Sequence, residues 1–171
     1  MTVYPSMERP ARSAAGITLG LGLGGFLDGI LLHQLLRWHN MGSAVLRPDT
    51  MQAMERNMVW DGFFHAGTWL LTLAGVWMLW RDARQAAAPT GRIFAGQMLM
   101  GWAIFNLVEG VIDHHLLNLH HVRDLPVHQP LYDWLFLAVG GAGVLMIGLA
   151  MRRRGAGAGE RSPAHPAAGV L

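Results

Sequence analysis

The sequence predicts an all-α fold: a polytopic membrane four-helix bundle built from two tandem two-helix repeats. Of its 171 residues, 52% are hydrophobic and only 14% are charged, against about 25% charged residues in a typical soluble domain. Four apolar runs approach the length of about 20 residues that crosses a bilayer core. Part of the first run also aligns without gaps with part of the third. These observations predict that the chain lies in a lipid bilayer.

The apolar runs divide the chain into three parts. We place the four spans at Gly16–Trp38, Trp60–Trp80, Ile93–Leu119 and Leu131–Met151. Residues 16–151 are therefore the predicted transmembrane domain, and residues 1–15 are a short cytoplasmic lead-in. Residues 152–171 are rich in arginine, glycine, alanine and proline, which predicts a disordered cytoplasmic tail.

The arginines predict the orientation of the spans. The chain has no lysine, and nine of its 13 arginines lie on the side that both termini share. The positive-inside rule makes that side cytoplasmic. Histidine has the opposite bias, because every histidine except His165 in the tail belongs to the outward half.

The composition also excludes several classes of function. Without cysteine there are no disulfides, thiolate metal sites or cysteine nucleophiles. The pI near 9.9 would suit nucleic-acid binding, but the arginines sort by loop and form no basic face with interleaved aromatic residues. We therefore expect lipid and no nucleic acid as a partner, with homo-oligomerisation left open.

The first span and the connection after it carry unusual residues for an apolar segment. Glycines at positions 20, 22, 24, 25 and 29 predict the close approach of a neighbouring helix. Asp28 follows near mid-membrane, where a carboxyl group should face the bundle interior. In the connection, Met51, Met54 and Met58 share one helical face. They predict a short amphipathic helix on the bilayer or bundle surface, or alternatively a thioether site for monovalent copper.

The second and third spans hold groups that can bind metals. Asp61 and His65 are one helical turn apart, which suits a ligand with its orienting carboxylate, or two ligands. The third span ends in FNLVEGVIDHHLLNLHHVRD. On an ideal helix, Glu109, Asp113 and His120 fall within roughly 40° of one another. A second stripe contains His114, Asn118 and His121.

The same pattern occurs twice in the chain. Residues 27–40 align with residues 108–121, and the start of the second span aligns with the start of the fourth. The matched residues are Asp28 with Glu109, His33 with His114, His39 with His120, and Asp61 with Asp133. The counterpart of His65 is Leu137, so a site between the two halves would be asymmetric. The alignment predicts a tandem repeat of two helices in parallel orientation.

The motifs GFLDGILLHQLLRWHNM, WDGFFHAGTW and FNLVEGVIDHHLLNLHHVRD together resemble the domain of unknown function 2243 family of predicted bacterial membrane proteins. The resemblance covers about residues 17–151. It implies a multi-pass, four-span protein of the bacterial inner membrane, without a settled activity. The family is associated with cytochrome oxidase assembly factors, which implies copper as the metal. A respiratory oxidase, or its assembly factors, is then the implied partner.

The buried carboxylates and histidines predict a metal site, because a bound cation would compensate them. Carboxylates and histidines at membrane depth are destabilising by several kcal/mol when they are buried without partners. Imidazole and carboxylate ligands suit copper, zinc, iron or manganese. The predicted ligands are His33, His65 and His114, completed by Asp113 or His115. Asp28 and Glu109 lie below them as supporting or proton-accepting groups, and an access layer above contains His39, His120, His121 and Asp61.

One geometric condition applies to this site. On an ideal helix Asp28 and His33 lie about 140° apart. Both can face one centre only if neighbours wrap their helix on two sides, or if the helix is distorted near Gly29.

The predicted function is copper binding or delivery linked to oxidase maturation, with zinc or iron as other candidate metals. One alternative is an electron carrier with a b-type haem between His33 and His114. Another is a membrane metalloenzyme with an open coordination position. Hydrogen bonding between helices, without any metal, is the purely structural interpretation.

Overall fold

The described part of the chain contains four long helices, as the sequence predicts. The structure, a computed structural model, describes residues 14–85 and 88–160 and shows no strand among them. Its candidate membrane spans, all sufficiently long and apolar to cross a bilayer, are α1 (Ala15–Leu35), α2 (Met51–Arg84), α3 (Gly91–Leu116) and α4 (Pro130–Ala156). The all-α, four-span prediction is therefore confirmed. Most of the predicted lead-in, the tail from residue 161 and His165 lie outside the described residues.

Two helices extend beyond their predicted bounds. Helix α2 begins at Met51, after Thr50, whose side chain accepts a hydrogen bond from the Ala53 N–H. The methionine face therefore belongs to the first turns of α2 and not to a separate surface helix. With 34 residues α2 is about 51 Å long, well beyond the roughly 30 Å of a hydrocarbon core. The last helix continues to Glu160, so helix occupies the start of the predicted tail.

Helices α1 and α3 are central, with α2 packed against α1 and α4 packed against α3. Half of the most apolar window of α1 is buried, against 11% of that of α2. Large apolar side chains such as Trp69, Trp77 and Met146 are exposed on the two flanking helices. An apolar outer surface of this kind is what a lipid environment requires.

Glycines bring the two central helices into backbone contact. A Cβ atom at Gly20 would collide with the backbone carbonyl of Met98, and one at Gly101 would collide with that of Ile17. Only glycine permits helices to approach this closely. Gly20 and Gly101 are 81 residues apart, and so are Ile17 and Met98. This is also the offset between the aligned stretches of sequence.

We predict that Gly101→Ala lowers the free energy of unfolding by about 1–3 kcal/mol, because the added methyl group forces α1 and α3 apart. Thermal unfolding in detergent measures the effect. Gly67→Ala is the matched control, since no atom lies within 4 Å of a Cβ atom at Gly67. Equal stability of the two variants would contradict the packing argument.

The ends of α1 and α3 that carry the histidines are π-helical, over Gly29–Leu35 and Gly110–Leu116. Hydrogen bonds from residue i to i+5 widen these turns and bring residues five apart towards the same side of the helix. Asp28 and His33 are five residues apart. The distortion near Gly29 is therefore the way in which both side chains come to face the interior.

A residue with positive φ stops each π-helical segment. Arg37 has φ of 53° and Asn118 has φ of 49°, again 81 positions apart. This left-handed conformation ends a helix. The chain then turns into the connections 36–50 and 117–129, which lie at the end of the protein that we call the histidine end.

Backbone hydrogen bonds join the two connections. The N–H groups of Asp124 and Leu125 donate to the Trp38 carbonyl at 3.0 and 2.8 Å. In the reverse direction, the Ala44 N–H donates to the Leu119 carbonyl at 3.1 Å. These bonds fix the backbone that carries His39 and His120.

Candidate metal centre

Six buried side chains at the histidine end form two groups, each with two imidazoles and one carboxylate. The first group is Asp28, His33 and His39, and the second is Glu109, His114 and His120. Within each group the potential ligand atoms lie within 4.8 Å of one another. None of the six residues is more than 6% exposed. The two groups differ by 81 positions at every member.

The connections orient His39 and His120. The Nδ1–H of His39 donates to the Val122 carbonyl at 2.9 Å, and that of His120 donates to the Met41 carbonyl at 3.2 Å. Because a carbonyl oxygen only accepts, Nδ1 must carry the proton in both rings. A neutral imidazole then has its lone pair on Nε2. Each histidine is thus held by the opposite connection, with Nε2 available as a ligand.

Asp61 on α2 orients His33. Its Oδ1 accepts from His33 Nδ1 at 3.1 Å and from the Met41 N–H at 2.8 Å. Its Oδ2 accepts from the Asn40 amide at 2.6 Å. A carboxylate on the outer nitrogen of an imidazole is the usual support of a metal-binding histidine. Asp61 therefore supports His33 from outside the first group.

Asp133 on α4 holds the corresponding position in the second half. Its Oδ1 accepts from the Val122 N–H at 2.8 Å and lies 3.6 Å from His114 Nδ1. That separation is too long for a hydrogen bond, so both ring nitrogens of His114 lack a hydrogen-bond partner among the described residues. The alignment of Asp61 with Asp133 is the sequence signal for this residue.

The inner ring nitrogens face the carboxylates. Nε2 of His33 lies 3.3 Å from Asp28 Oδ2, and Nε2 of His39 lies 3.8 Å from the same oxygen. In the second group, His120 Nε2 lies 3.4 Å from Glu109 Oε1. A lone pair that faces a carboxylate oxygen is repelled unless a proton or a cation lies between them.

These six residues contain eight buried nitrogen and oxygen atoms without a hydrogen-bond partner among the described residues. Each such atom destabilises a fold by about 1–3 kcal/mol, and native proteins keep few of them. A cation in each group would satisfy most of them at once. Two imidazoles with one carboxylate suit non-haem iron, and nitrogen and oxygen ligands also accept zinc and copper(II).

The His120 imidazole is in the form that binds metals. Burial lowers the pKa of His120 well below its usual range, and the imidazoles of His39 and His114 lower this pKa further. His120 is therefore neutral at pH 7. A neutral ring can offer Nε2 to an ion without first releasing a proton.

The two groups adjoin through their rings. The rings of His39 and His120 stack with centroids 4.6 Å apart and planes at 20°. His33 lies 4.4 Å from His39, and His114 lies 4.9 Å from His120, by ring centroids. The four imidazoles therefore form one continuous series of ring contacts that joins the two groups.

The structure does not group the three predicted ligands His33, His65 and His114 together. His65 Nδ1 donates to the Asp61 carbonyl of its own helix at 2.7 Å. Its ring lies 6.4 Å from that of His33 and belongs to neither group. Gly29 leaves the space that holds His65 Nε2, since a Cβ atom there would collide with it.

The other predicted residues are also distributed differently. His115 Nδ1 donates to the Gly110 carbonyl at 2.7 Å and its ring packs on Trp134, while half-buried Asp113 is in neither group. The predicted access residues His39 and His120 are group members, as are the predicted supporting carboxylates Asp28 and Glu109. His121 lies outside both groups, and Asp61 supports His33.

An open groove of about 1150 Å³ leads from the surface to His33, Asp61 and His65. Its wall includes Arg37, Arg47 and Arg123, together with Met54 and Met58. The groove gives small molecules a route to one side of the first group.

Comparison with known proteins gives one relationship. The model of a family described as "Predicted membrane protein (DUF2243)" matches residues 15–155, which include all six members of the two groups. Searches of curated proteins and of solved structures each gave no match.

Proposed function

The chain belongs to the DUF2243 family of predicted membrane proteins, and from that premise we propose that it binds two transition-metal ions at its histidine end. One ion is held by Asp28, His33 and His39. The other is held by Glu109, His114 and His120. The observation that carries the proposal is the convergence, in each group, of buried Nε2 lone pairs and carboxylate oxygens that have no other partner.

The donor atoms restrict the metal. Both groups offer nitrogen and oxygen only, which suits copper(II), zinc or iron. Met51 and Met58 are 76% and 61% exposed, so these two thioethers lie at the surface and not among the buried ligands. Copper itself, with delivery to a respiratory oxidase or its assembly factors, stays a prediction from the family association. The complete burial of the ligands favours an ion that is retained over one that is released quickly.

The orientation is part of the proposal. We place the histidine end outside a bacterial inner membrane and both termini in the cytoplasm. Nine of the 13 arginines lie on the side of the termini, which supports this orientation through the positive-inside rule.

We also propose that the two halves are tandem repeats. The contacts in one half recur in the other with an offset of 81 residues. His39 bonds to the Val122 carbonyl, and His120 bonds to the Met41 carbonyl. Each half thus donates a histidine N–H to a carbonyl of the other half at the equivalent position. A pseudo-twofold axis between the halves produces such reciprocal contacts.

Ring packing favours ions over a haem. The rings of His39 and His120 fill the space between His33 and His114, since neighbouring centroids are 4.4, 4.6 and 4.9 Å apart. A porphyrin with His33 and His114 as axial ligands would have to displace both rings. A Soret band in the purified protein would nevertheless establish the haem carrier in place of the ion pair.

The groove supports a second candidate function, a membrane metalloenzyme. Its volume of about 1150 Å³ provides room for a substrate beside His33 and the first ion. In that case azide added to the cobalt(II)-loaded protein should change the visible spectrum of the first ion, because its open position is reachable. An unchanged spectrum would count against catalysis at this site.

Metal content tests the main proposal. We predict about two tightly bound transition-metal ions per chain for the full-length protein purified in mild detergent, by elemental analysis. His39→Ala and His120→Ala should each remove one ion. His115→Ala is the matched control and should remove none, since His115 belongs to neither group. A wild-type protein that neither holds metal nor gains thermal stability when zinc, copper or iron salts are added would end the proposal.

A further inference from the structure

A third cluster of metal-binding side chains lies at the surface of the histidine end. It consists of His121, His128 and Asp133. His121 Nδ1 and His128 Nε2 each lie 3.1 Å from Asp133 Oδ2, and the two rings stack with centroids 3.9 Å apart. Side-chain exposure rises from 5% for Asp133 to 15% for His121 and 41% for His128. The cluster is therefore open to solvent on one side and closed on the other.

The backbone around the cluster is held in place. Asp124 is buried, and its Oδ2 accepts from the His121 N–H at 3.1 Å and from the Ser43 hydroxyl at 2.6 Å. Asp133 accepts from the Val122 N–H through its other oxygen. The ring of His121 and the carboxylate of Asp133 are thus positioned by buried contacts.

The first half of the chain shows how many donors are required to satisfy the outer oxygen of the supporting aspartate. Asn40, 81 positions before His121, donates its amide to Asp61 Oδ2 at 2.6 Å. One amide donor therefore satisfies the oxygen of Asp61 that corresponds to Asp133 Oδ2. In the second half His128 Nε2 donates to that oxygen at 3.1 Å. The imidazole of His121 also faces it, and its Nδ1 has no hydrogen-bond partner among the described residues. Two imidazoles and one carboxylate exceed the structural requirement and match the donor set of each buried group.

We propose that His121, His128 and Asp133 bind one divalent transition-metal ion at the surface and load it into the group of Glu109, His114 and His120. The binding step stands on the cluster alone, whereas the loading step rests on the proposed function. Asp133 connects the two sites, because its Oδ2 faces the surface histidines while its Oδ1 lies 3.6 Å from His114. The rings of His114 and His121 have centroids 6.4 Å apart.

An open cleft gives an ion access to this surface site. It has a volume of about 250 Å³ and is bordered by His121, His128 and the buried carboxylate of Asp124. A hydrated cation can therefore approach the imidazoles from solvent. It can lose its water as it moves inward to Asp133 and His114.

Cobalt(II) binding to the metal-depleted, full-length protein in detergent tests the proposal. For wild type we expect two tightly bound ions and a third, weaker one, with the buried ions detected by their visible d–d absorption. His128→Ala should remove the weaker ion and slow the filling of the second buried group by about tenfold or more. His115→Ala should change neither the number of ions nor the rate.

A second variant distinguishes the loss of a ligand from misfolding of His128→Ala. His121→Asn copies the arrangement of Asn40 and Asp61, so it keeps an amide donor to Asp133 while it removes an imidazole ligand. It should reproduce the loss of the third ion and the slow filling. Retention of the third ion in both variants would overturn the surface site, and loss of that ion with an unchanged filling rate would overturn loading.

The outcome for wild type separates this inference from the proposed function. A wild type that binds only one weak ion, lost in His128→Ala, would overturn the buried pair and the loading step but support the surface site. Two tight ions that fill at the same rate in wild type, His128→Ala and His121→Asn would support the buried pair and overturn loading.

Discussion

Replacement of Glu109 by glutamine is expected to reduce the tightly bound metal from two ions per chain to one, and to stabilise the metal-free protein. Both carboxylate oxygens of Glu109 are buried without a hydrogen-bond partner among the described residues. A buried carboxyl group in such surroundings destabilises the metal-free fold, either as an unpaired charge or through the free energy of taking up a proton. With metal bound, the same charge attracts the cation. The substitution should therefore have opposite effects on the metal-free and the metal-bound protein.

The neighbouring histidine explains the expected gain in the metal-free state. The Nδ1–H of His120 donates to the Met41 carbonyl, so its Nε2 can only accept. The amide of glutamine can donate to that Nε2, which lies 3.4 Å from Glu109 Oε1. We expect the free energy of unfolding of the metal-free protein to rise by about 1–3 kcal/mol. Affinity for the second ion should fall by about 100-fold or more. Removal of a residue that only supports a ligand costs about 10–100-fold, and Glu109 is a proposed ligand itself.

Thermal unfolding with and without cobalt(II), together with elemental analysis, measures both effects. Glu55→Gln is the matched control, because Glu55 is exposed on α2 and should affect neither stability nor metal content. Glu109 tests the proposal more sharply than Asp28, since a protonated His33 between Asp28 and Asp61 would pair with both carboxylates and offset one of their two negative charges without a metal. A metal-free Glu109→Gln protein that is less stable than wild type would indicate a structural role for the carboxylate.

The number and type of helices could be predicted from sequence because length and hydropathy decide whether a segment crosses a bilayer. The start of α2 could not be predicted in this way. Its first turns are polar and project beyond the apolar segment, but Thr50 still caps the helix. Asn57 in these turns donates to the Leu46 carbonyl and accepts from the Gly42 N–H, so the connection stabilises the extension. Contacts of this kind are tertiary and leave no periodic signal.

The residue types at the site were predictable, whereas their grouping was not. A helical wheel with 100° per residue separates Asp28 from His33, but the π-helical turn from Gly29 brings them together. His39 and His120 lie beyond the ends of their helices, where no wheel applies. The carbonyls of Val122 and Met41 decide where these two rings point. His65 was predicted as a ligand because of its depth, yet in the described part of the chain its ring nitrogens join no carboxylate and second imidazole in a group.

Asp61→Asn is expected to weaken binding of the first ion by about 10–100-fold, because Asp61 supports His33 through its Nδ1. The fold should be retained, since one oxygen of asparagine can still accept from His33 or Met41, and Asn40 can turn its amide to accept from the new NH₂ group. In the Glu109→Gln background the first ion is the one tightly bound ion that remains, and the surface ion binds more weakly. Cobalt(II) titration of that background, with and without Asp61→Asn, therefore measures the effect on the first ion alone.

The corresponding variant in the other half supplies the comparison. Asp133→Asn should weaken the second ion and the surface ion more than the first, because Asp133 lies beside His114, His121 and His128, which belong to those two sites. Asp49 is an exposed carboxylate in the connection 36–50. Asp49→Asn therefore controls for the loss of one negative charge near the site. If Asp61→Asn and Asp133→Asn weakened all the ions equally, each carboxylate would be stabilising the bundle as a whole. Separate effects on separate ions require that each half positions its own metal through its own aspartate.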